Sequence, residues 1–229
     1  MEYIERKPFN FMINEALKEY RSKIIKRFGP GYSYPIGTVF SASGQLNPFV
    51  FYLVSGVVKV YTENSEGTAR LLGYQQKDTI FAIDSIRGSD RAVVSTESIS
   101  RCQVIKIHSN DFKQFLLEEP QLCYDFLLYE QDVLRLMCYY AEIHSGATIT
   151  SRIASFLMLY MQSEDYKNSQ VVNMTQYNLA SAVNASRIQI ARITEKMQEL
   201  GILKIGRKKI YILDEKELSK LGNNPRSNI

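Results

Sequence analysis

The feature that most constrains the fold is the segment 122–144, which contains neither glycine nor proline. Apolar residues recur in it at intervals of three and four positions, so it is predicted to form one long helix. One stripe of these residues follows the a and d positions of a heptad repeat, which predicts a seam between two copies of the chain. This stripe consists of Phe126, Tyr129, Val133, Leu136, Tyr140 and Ile143.

A second apolar stripe on the same helix is predicted to pack on the rest of the chain. It consists of Leu127, Leu134, Met137 and Ala141. An alternative stays open, because a core helix of a monomer that is buried on two sides shows similar spacing. The regularity of the heptad favours the dimer.

Short strand-like runs dominate the residues before this helix. β-Branched and aromatic residues are concentrated in the runs 49–54, 57–62, 69–74 and 101–107. Turns that contain Gly, Asn or Ser separate these runs, and the segment 63–67 has the composition of a hairpin turn. Several short strands at regular spacing predict an antiparallel sandwich or roll. Apolar residues at helical spacing over 9–28, followed by Gly29, predict a short helix ahead of the roll.

The last third of the chain differs from the rest in charge. Residues 148–229 hold 12 Lys and Arg against 7 Asp and Glu, whereas residues 1–147 hold 16 against 17. A positive balance that is confined to one part of a chain is expected if that part binds a polyanion.

The predicted fold class is α+β, and the chain is predicted to divide into three parts. Residues 1–119 form the antiparallel roll with its first helix, and residues 147–229 form the basic domain. Residues 120–146 form the long helix, which ends in a hinge at Ser145, Gly146 and Ala147. A chain of 229 residues, of which 45% are hydrophobic, is long enough to bury cores in two domains without disulfides.

Residues 175–213 carry the pattern of a winged helix-turn-helix. Thr175 is predicted to cap a first helix that buries an apolar stripe. This stripe consists of Leu179, Ala180 and Val183. Asn184 and Ala185 follow at the turn between two helices, where Asn tolerates the left-handed backbone conformation that such a turn needs.

Ser186 is predicted to begin the second helix, 186–200, and Gln189 completes a capping box three residues later. The buried stripe of this helix consists of Ile190, Ile193 and Met197. The residues left to meet bases or phosphates in a major groove are Arg187, Ile188, Gln189 and Arg192. Arg187 suits guanine O6 and N7, Gln189 suits adenine N6 and N7, and Ile188 suits a thymine methyl group.

Phosphate contacts are predicted at both helices and in the segment that follows them. Hydroxyl, amide and helix N-terminal N–H groups bind phosphate oxygens, and they are supplied by Thr175, Gln176 and Ser186. After Gly201, two short apolar runs flank a basic turn, which predicts a β-hairpin wing. Phosphate contacts that depend on salt and little on sequence are expected from Arg207, Lys208 and Lys209.

With its parts in this order, the chain resembles the Crp/Fnr family of bacterial regulators over about residues 30–215. The segment 184–192 is similar to the start of the recognition helix of that family, and residues 52–60 are similar to its roll strand with a Gly turn. The resemblance implies that Ser186, Arg187 and Arg192 contact DNA. Ile188 departs from the pattern, because many members carry a base-contacting Glu there, so the usual half-site of the family does not transfer.

The resemblance also implies a sensor domain, but the residues argue against cyclic AMP as its ligand. Relatives that bind cyclic AMP carry a Gly-Glu pair after a strand and an Arg-Ser pair at the phosphate. The matching stretches here are 80–83 and Arg91-Ala92, and Ala82 cannot hold a ribose hydroxyl. The cysteine cluster of oxygen-sensing relatives and the histidine of haem-binding relatives are absent as well.

The segment 138–141 is similar to the branch of the family that senses aromatic compounds. A small apolar or aromatic effector is therefore expected between roll and helix, with Arg91 or a tyrosine hydroxyl at its polar end. The predicted lining residues are Leu71, Phe81, Ala82, Ile83, Arg91, Val93, Leu127 and Leu134. The alternative is a roll that binds no effector and only packs.

Other classes of protein lack support in the sequence. No P-loop, dinucleotide-binding fingerprint or nucleophile motif is present, so no enzyme is expected. Three widely spaced cysteines and two histidines predict no metal, haem or iron–sulfur centre. No secretory signal and no apolar run of about 20 residues is present, which predicts a cytoplasmic protein without a membrane partner.

The partners expected from the motifs and the resemblance are double-stranded DNA with a palindromic operator, a second copy of the chain and RNA polymerase. The alternative is an effector-binding module whose winged helix contacts a protein partner instead of DNA.

Overall fold

The computed structural model of the chain describes residues 12–13, 15–63, 69–144 and 147–229. Two compact units divide the described chain, Met12–Gln131 and Asp132–Ile229. Some predicted features lie outside the described residues. These are the start of the predicted first helix (9–11), most of the hairpin turn at 63–67, the hinge residues Ser145 and Gly146, and the side chains of Tyr140 and Ile143.

The first unit is an antiparallel β-roll with helices at its ends. Its strands are β1 (Met12–Ile13), β2 (Tyr32–Tyr34), β3 (Val39–Ser41), β4 (Phe49–Ser55), β5 (Val58–Glu63), β6 (Ala69–Gln75), β7 (Thr79–Phe81), β8 (Ser95–Ser98) and β9 (Cys102–His108). One sheet has the order β1-β6-β5-β8-β3 and the other the order β2-β9-β4-β7. All pairs are antiparallel except β1 with β6. The predicted strands and the α+β class are confirmed.

The predicted first helix is wrong in its first half. Met12–Ile13 forms a strand, and α1 covers only Arg21–Phe28, after a 3-10 turn at Lys18–Tyr20. Glu15 has a positive φ of 55°, which interrupts a right-handed helix. The backbone N–H groups of Glu15 and Leu17 donate to carbonyls of the loop before β7, both at 2.9 Å. This part of the chain is therefore fixed by the sheet rather than by helical hydrogen bonds.

Aromatic side chains fill the interior of the roll. The rings of Phe51 and Phe81 are stacked, with centroids 5.4 Å apart, and Phe40 meets Phe81 edge to face at 5.3 Å. The buried carboxylate of Asp78 accepts hydrogen bonds from the Tyr52 hydroxyl at 2.7 Å and from the Arg21 guanidinium at 3.0 Å. This network anchors α1 to the roll.

The long helix is confirmed, but the stripe predicted to form the dimer seam contains buried residues, and the stripe predicted to be buried contains exposed ones. After α2 (Ser109–Glu118), α3 runs over Pro120–His144. Phe126 is buried and meets Phe112 edge to face at 5.5 Å, and the buried Tyr129 hydroxyl donates to the Ile80 carbonyl at 2.7 Å. Leu127 and Leu134 are each 63% exposed. Phe126 and Tyr129 therefore belong to the core of the roll, and their assignment to a dimer seam is wrong.

The other members of the predicted seam give it no support. Leu136 is buried within the chain and Val133 is half-buried. The assignment of Leu127 to packing on the roll is wrong as well, because its side chain is mostly exposed. The reason is geometric: both stripes have heptad spacing, and the roll covers the one that carries the aromatic rings.

The second unit contains the predicted winged helix-turn-helix. Its remaining helices are α4 (Ile149–Met161), α5 (Glu164–Ser169), α6 (Gln176–Ala182), α7 (Arg187–Glu199) and α8 (Glu215–Asn223). Strands β10 (Leu203–Gly206) and β11 (Lys209–Ile212) form an antiparallel hairpin. α4 packs against α8 and α7, and α7 packs against α6 and β10. The core residues at this junction include Leu157, Leu179, Ile190, Met197 and Ile210.

Candidate functional site

The turn between α6 and α7 has the predicted geometry. The Thr175 hydroxyl accepts a hydrogen bond from the Asn178 N–H at 3.1 Å and so caps α6. Asn184 adopts the left-handed conformation with a φ of 49°. The Ala185 N–H donates to the Ala180 carbonyl at 3.0 Å, which closes the end of α6. The turn therefore fixes where α7 begins.

A capping box holds the start of α7. The Ser186 hydroxyl accepts from the Gln189 N–H at 3.2 Å, and the Gln189 side-chain oxygen accepts from the Ser186 N–H at 3.0 Å. This confirms the predicted box. The same oxygen is the group that would accept from adenine N6 in the base contact predicted for Gln189, so that contact stays a prediction.

Gln176 connects the two helices of the motif. Its amide donates to the Thr194 hydroxyl at 3.0 Å, and the hydroxyl of the fully buried Thr194 donates to the Ile190 carbonyl at 2.8 Å. A buried hydroxyl with both partners satisfied stabilises the packing of α6 on α7. No sequence signal indicates this role of Thr194, since a Thr inside a helical pattern has no specific signature.

The N-terminal part of α7 presents a basic surface around an apolar spot. Ile190, Ile193, Thr194 and Met197 are buried. The side chains that remain exposed are Arg187, Ile188, Ala191 and Arg192, and Ile188 is 82% exposed. Within the described part of the chain, neither Arg187 nor Arg192 forms an ion pair with a carboxylate.

The wing adds three further cations beside this helix. Gly206 pairs with Lys209 at the end of the hairpin, and Arg207 and Lys208 form the turn between them. Lys208 adopts a positive φ of 58°, a conformation that glycine usually occupies in turns. Arg207, Lys208 and Lys209 are all exposed. The Gln198 side-chain oxygen accepts from the Ile205 N–H at 2.8 Å, so α7 holds the hairpin directly.

The residues predicted to line an effector site differ in burial. Leu71, Phe81 and Ala82 are buried in the roll, but Val93 is 65% exposed, and Leu127 and Leu134 face solvent on α3. The Arg91 guanidinium donates to the Gly44 carbonyl at 2.7 Å, where a loop of the roll holds it. Exposure in the single chain does not decide whether Val93, Leu127 and Leu134 line an effector site, so their role stays a prediction.

The loop after β7 contains a feature that the sequence reasoning missed. Ala82 has a positive φ of 60°, and one carboxylate oxygen of Asp84 accepts from the N–H groups of Val93 and Val94 at 2.5 and 3.0 Å. The other Asp84 oxygen and the Ser85 hydroxyl are buried, and neither has a hydrogen-bond partner among the described residues. A buried polar atom without a protein partner can be satisfied by a water molecule or by a ligand.

A different stripe of α3 is exposed along its length. Its members are spaced three and four residues apart, as in a heptad repeat: Tyr124, Leu127, Gln131, Leu134, Cys138 and Ala141. Tyr124 is 57% exposed, and Leu127 and Leu134 are each 63% exposed. Large apolar side chains at a and d spacing on an otherwise solvated face are the pattern of a helix that pairs with another helix.

Neither a metal site nor a membrane segment is found in the described chain. No group of three or more His, Cys, Asp or Glu residues among those described is arranged to hold a metal ion. Within the same residues, no helix is long and apolar enough to span a bilayer.

Two family models match the chain in the regions of the roll and the helix-turn-helix. The cyclic nucleotide-binding domain matches residues 32–119, and the Crp-like helix-turn-helix domain matches residues 151–221. Vfr, a cAMP-activated global transcriptional regulator of Pseudomonas aeruginosa, is 19% identical over 170 residues, which are 71% of this chain and 79% of Vfr.

Solved structures share the fold. The c-di-GMP responsive global regulator CLP of Xanthomonas campestris aligns with a TM-score of 0.75 and 20% identity over 84% of this chain and 99% of its own. A CooA mutant from Carboxydothermus hydrogenoformans aligns with a TM-score of 0.77 and 16% identity over 91% of this chain and 96% of its own. At these identities the structures establish the fold alone.

Proposed function

Because the chain belongs to the Crp/Fnr family of transcriptional regulators, we propose that it is a homodimer that binds a palindromic DNA operator and responds to a small molecule in its roll. The proposal keeps three parts, with the sensor in residues 1–119, the pairing helix in 120–146 and the DNA-binding domain in 147–229. RNA polymerase is the expected partner at the promoter.

The observation that carries this proposal is the exposed basic face of α7 and the wing. Arg187 and Arg192 project from the first two turns of a helix whose opposite side is buried, and neither is held by a carboxylate within the described residues. A helix of this kind enters the major groove with its N-terminal residues against the base edges. In this proposal Arg187 donates two hydrogen bonds to guanine O6 and N7.

The surrounding groups suit phosphates rather than bases. The Ser186 hydroxyl accepts from the Gln189 N–H and keeps its own proton for a phosphate oxygen. The Thr175 hydroxyl, at the N-terminus of α6, likewise accepts from a backbone N–H and can donate its own proton to a phosphate oxygen. Arg207, Lys208 and Lys209 at the tip of the wing add phosphate contacts that release counterions, so this part of the affinity falls with salt.

For dimerisation we propose the exposed stripe of α3 in place of the stripe that the sequence suggested. Leu127 and Leu134 lie seven residues apart, and both are mostly exposed in the single chain. Parallel pairing of two such helices buries these side chains against their counterparts in the second copy. A symmetric dimer presents two recognition helices to half-sites about one helical turn apart, a spacing of ~34 Å.

The effector part of the proposal is supported by the roll. The match to a cyclic nucleotide-binding domain covers 32–119. One buried carboxylate oxygen of Asp84 and the buried Ser85 hydroxyl lack hydrogen-bond partners within the described chain. We propose a small effector with an apolar or aromatic body and one polar group that hydrogen-bonds to these two oxygens. An effector that binds better to the DNA-competent state changes DNA affinity by about 1–3 kcal/mol of coupling free energy.

Selection from a random duplex library at physiological salt tests the DNA-binding function. It is run with and without a small-molecule extract of cells, because the competent state depends on effector. Enrichment of a near-palindrome with half-sites about 10 base pairs apart is expected. Failure to enrich any sequence under both conditions would instead favour a winged helix that binds a protein partner.

Calorimetry tests the effector. Phenols, aryl acids and cyclic nucleotides are titrated into the full-length protein, and then into the Asp84→Ala variant. Binding of a phenol is expected, and it should weaken in the variant, because the phenol hydroxyl would lose the Asp84 carboxylate as its acceptor. Binding of cyclic nucleotides alone would contradict an aromatic effector.

A further inference from the structure

Ile188 is an apolar side chain in an unusual position. It is the second residue of α7, directly after the Ser186 cap and Arg187, and it is 82% exposed. The buried stripe of α7 begins at Ile190, on the other side of the helix. Ile188 contributes nothing to the core of this unit, so its burial must come from a partner if it is to stabilise anything.

The neighbours of Ile188 define what it can contact. Ala191 lies three residues further along and is also exposed, and residues three apart lie side by side on a helix surface. Arg187 and Arg192 lie next to these two side chains in the chain. The result is a small apolar spot made of an isoleucine and a methyl group, next to two guanidinium groups.

Among the base edges of the major groove, the apolar group is the C5 methyl of thymine. An isoleucine has no hydrogen-bonding atoms, so it cannot pair with the amide, carbonyl or ring nitrogen groups of any base. Gln189, the polar neighbour in the same turn, uses its side-chain oxygen in the capping box. Sequence selection by this turn of α7 therefore depends on the apolar spot as well as on the arginines.

We infer that Ile188, together with Ala191, packs against the C5 methyl group of one thymine in each half-site of the operator, and so selects thymine at that position. This inference rests on the proposed DNA-binding function. A thymine buried in this way adds affinity through its methyl group alone, with no change in hydrogen bonding.

Deoxyuridine provides the probe, because it has every hydrogen-bonding group of thymine and lacks only the methyl. Each thymine of the enriched duplex is replaced in turn, and the affinity of the full-length protein is measured. At one position per half-site, affinity should fall about fourfold, which corresponds to the ~0.8 kcal/mol of one buried methylene-sized group. Replacement in both half-sites should reduce affinity about sixteenfold if the two contacts are independent.

The Ile188→Ala variant provides the matching change on the protein side, and its binding is measured with the same thymine and deoxyuridine duplexes. It should bind the thymine duplex more weakly than the wild type and should no longer distinguish thymine from deoxyuridine at that position. The change removes no buried contact, so folding is unaffected, and Ile188→Val should keep most of the discrimination. At the same position, 5-methylcytosine should bind the wild type better than cytosine does.

The outcomes separate this inference from the function it rests on. If the enriched duplex binds in a way that needs Arg187 but no deoxyuridine position depends on Ile188, the inference is overturned and the DNA-binding function stands. Half-sites without thymine would overturn it in the same way. If no duplex is enriched with or without extract, both fail together.

Discussion

The side-chain oxygen of Gln189 lies 3.0 Å from the backbone nitrogen of Ser186, inside the surface proposed to meet DNA. The same pair is linked in the other direction by the Ser186 hydroxyl at 3.2 Å. The start of the recognition helix is therefore held by its own side chains before any DNA binds. Because the start of α7 is already ordered in the free protein, DNA binding does not have to offset the conformational entropy of ordering it.

Loss of the capping box should reduce the free energy of unfolding. Ser186→Ala removes the acceptor for the Gln189 N–H and should cost about 0.5–2 kcal/mol, measured by urea unfolding. Gln189→Glu keeps an oxygen that can accept from the Ser186 N–H, so stability should stay near that of the wild type. The added negative charge should nevertheless weaken DNA binding, because it lies beside the phosphates. Equal loss of stability in both variants would argue against the box.

Arg187→Ala should weaken binding to the enriched duplex by about 1–3 kcal/mol, the range expected for a bidentate contact with guanine. The loss should be largest for duplexes that keep the guanine and small for duplexes that lack it. Lys216→Ala is the matched control, because it removes one exposed positive charge from α8 in the same unit. Equal effects of both variants would mean that Arg187 acts only through net charge.

Removal of the wing charges should change the salt dependence of binding rather than its sequence preference. Each phosphate contact contributes about 0.9 to the slope of log affinity against log salt. Changing Arg207, Lys208 and Lys209 together to Ala should therefore lower the slope by up to about 3, with the same sequence enriched from a library. Lys208→Gly alone tests the turn, since glycine relieves the positive φ and should not reduce stability. A changed consensus sequence would assign the wing to base recognition.

The two stripes of α3 should respond differently to substitution. Leu127→Asp and Leu134→Asp place charges in the proposed seam and should shift the protein from dimer to monomer, measured by sedimentation equilibrium. Leu117→Asp on α2, which is 68% exposed, is the control and should leave the dimer intact. Phe126→Ala should instead destabilise the fold by about 3–5 kcal/mol, because it empties a core position. Dimers that survive both Leu substitutions would exclude this seam.

Glu130 should make stability depend on pH. Burial raises its pKa from 4.5 to about 7, so the folded chain binds a proton more tightly than the unfolded chain does. The stabilisation is complete below pH 4.5 and is lost as the pH rises to about 7. Glu130→Gln should remove this loss and raise stability at pH 8 by about 1–3 kcal/mol relative to the wild type. A flat wild-type profile between pH 5 and pH 8 would contradict the assignment.

The sequence predicted the parts of the fold that depend on local chemistry. Thr175, Asn184 and the Ser186–Gln189 box each have a backbone requirement that only a few residue types satisfy, and the structure confirms all of them. The wing followed from two apolar runs around a basic turn. Such features are decided within a few residues, so they can be inferred from a single chain.

The wrong predictions concern residues whose burial depends on parts of the chain that are distant in sequence. Phe126 and Leu127 are neighbours on stripes of similar spacing, and only the position of the roll decides that Phe126 is buried beside Phe112. The apolar character of Val93 predicts a buried lining residue, but its side chain is 65% exposed, and the backbone N–H groups of Val93 and Val94 donate to Asp84. For Phe126 and for Val93, the sequence shows that the side chain is apolar but not whether it faces the core or the solvent.

The ratio of affinities for the enriched duplex and for a scrambled duplex of the same composition tests the central claim most directly. Both affinities are measured at the same physiological salt, with effector or extract present. A specific regulator should bind the enriched duplex at least about 1,000-fold more tightly, and Arg187→Ala should reduce that ratio. A ratio near one, unchanged by Arg187→Ala, would contradict sequence-specific DNA binding by this chain.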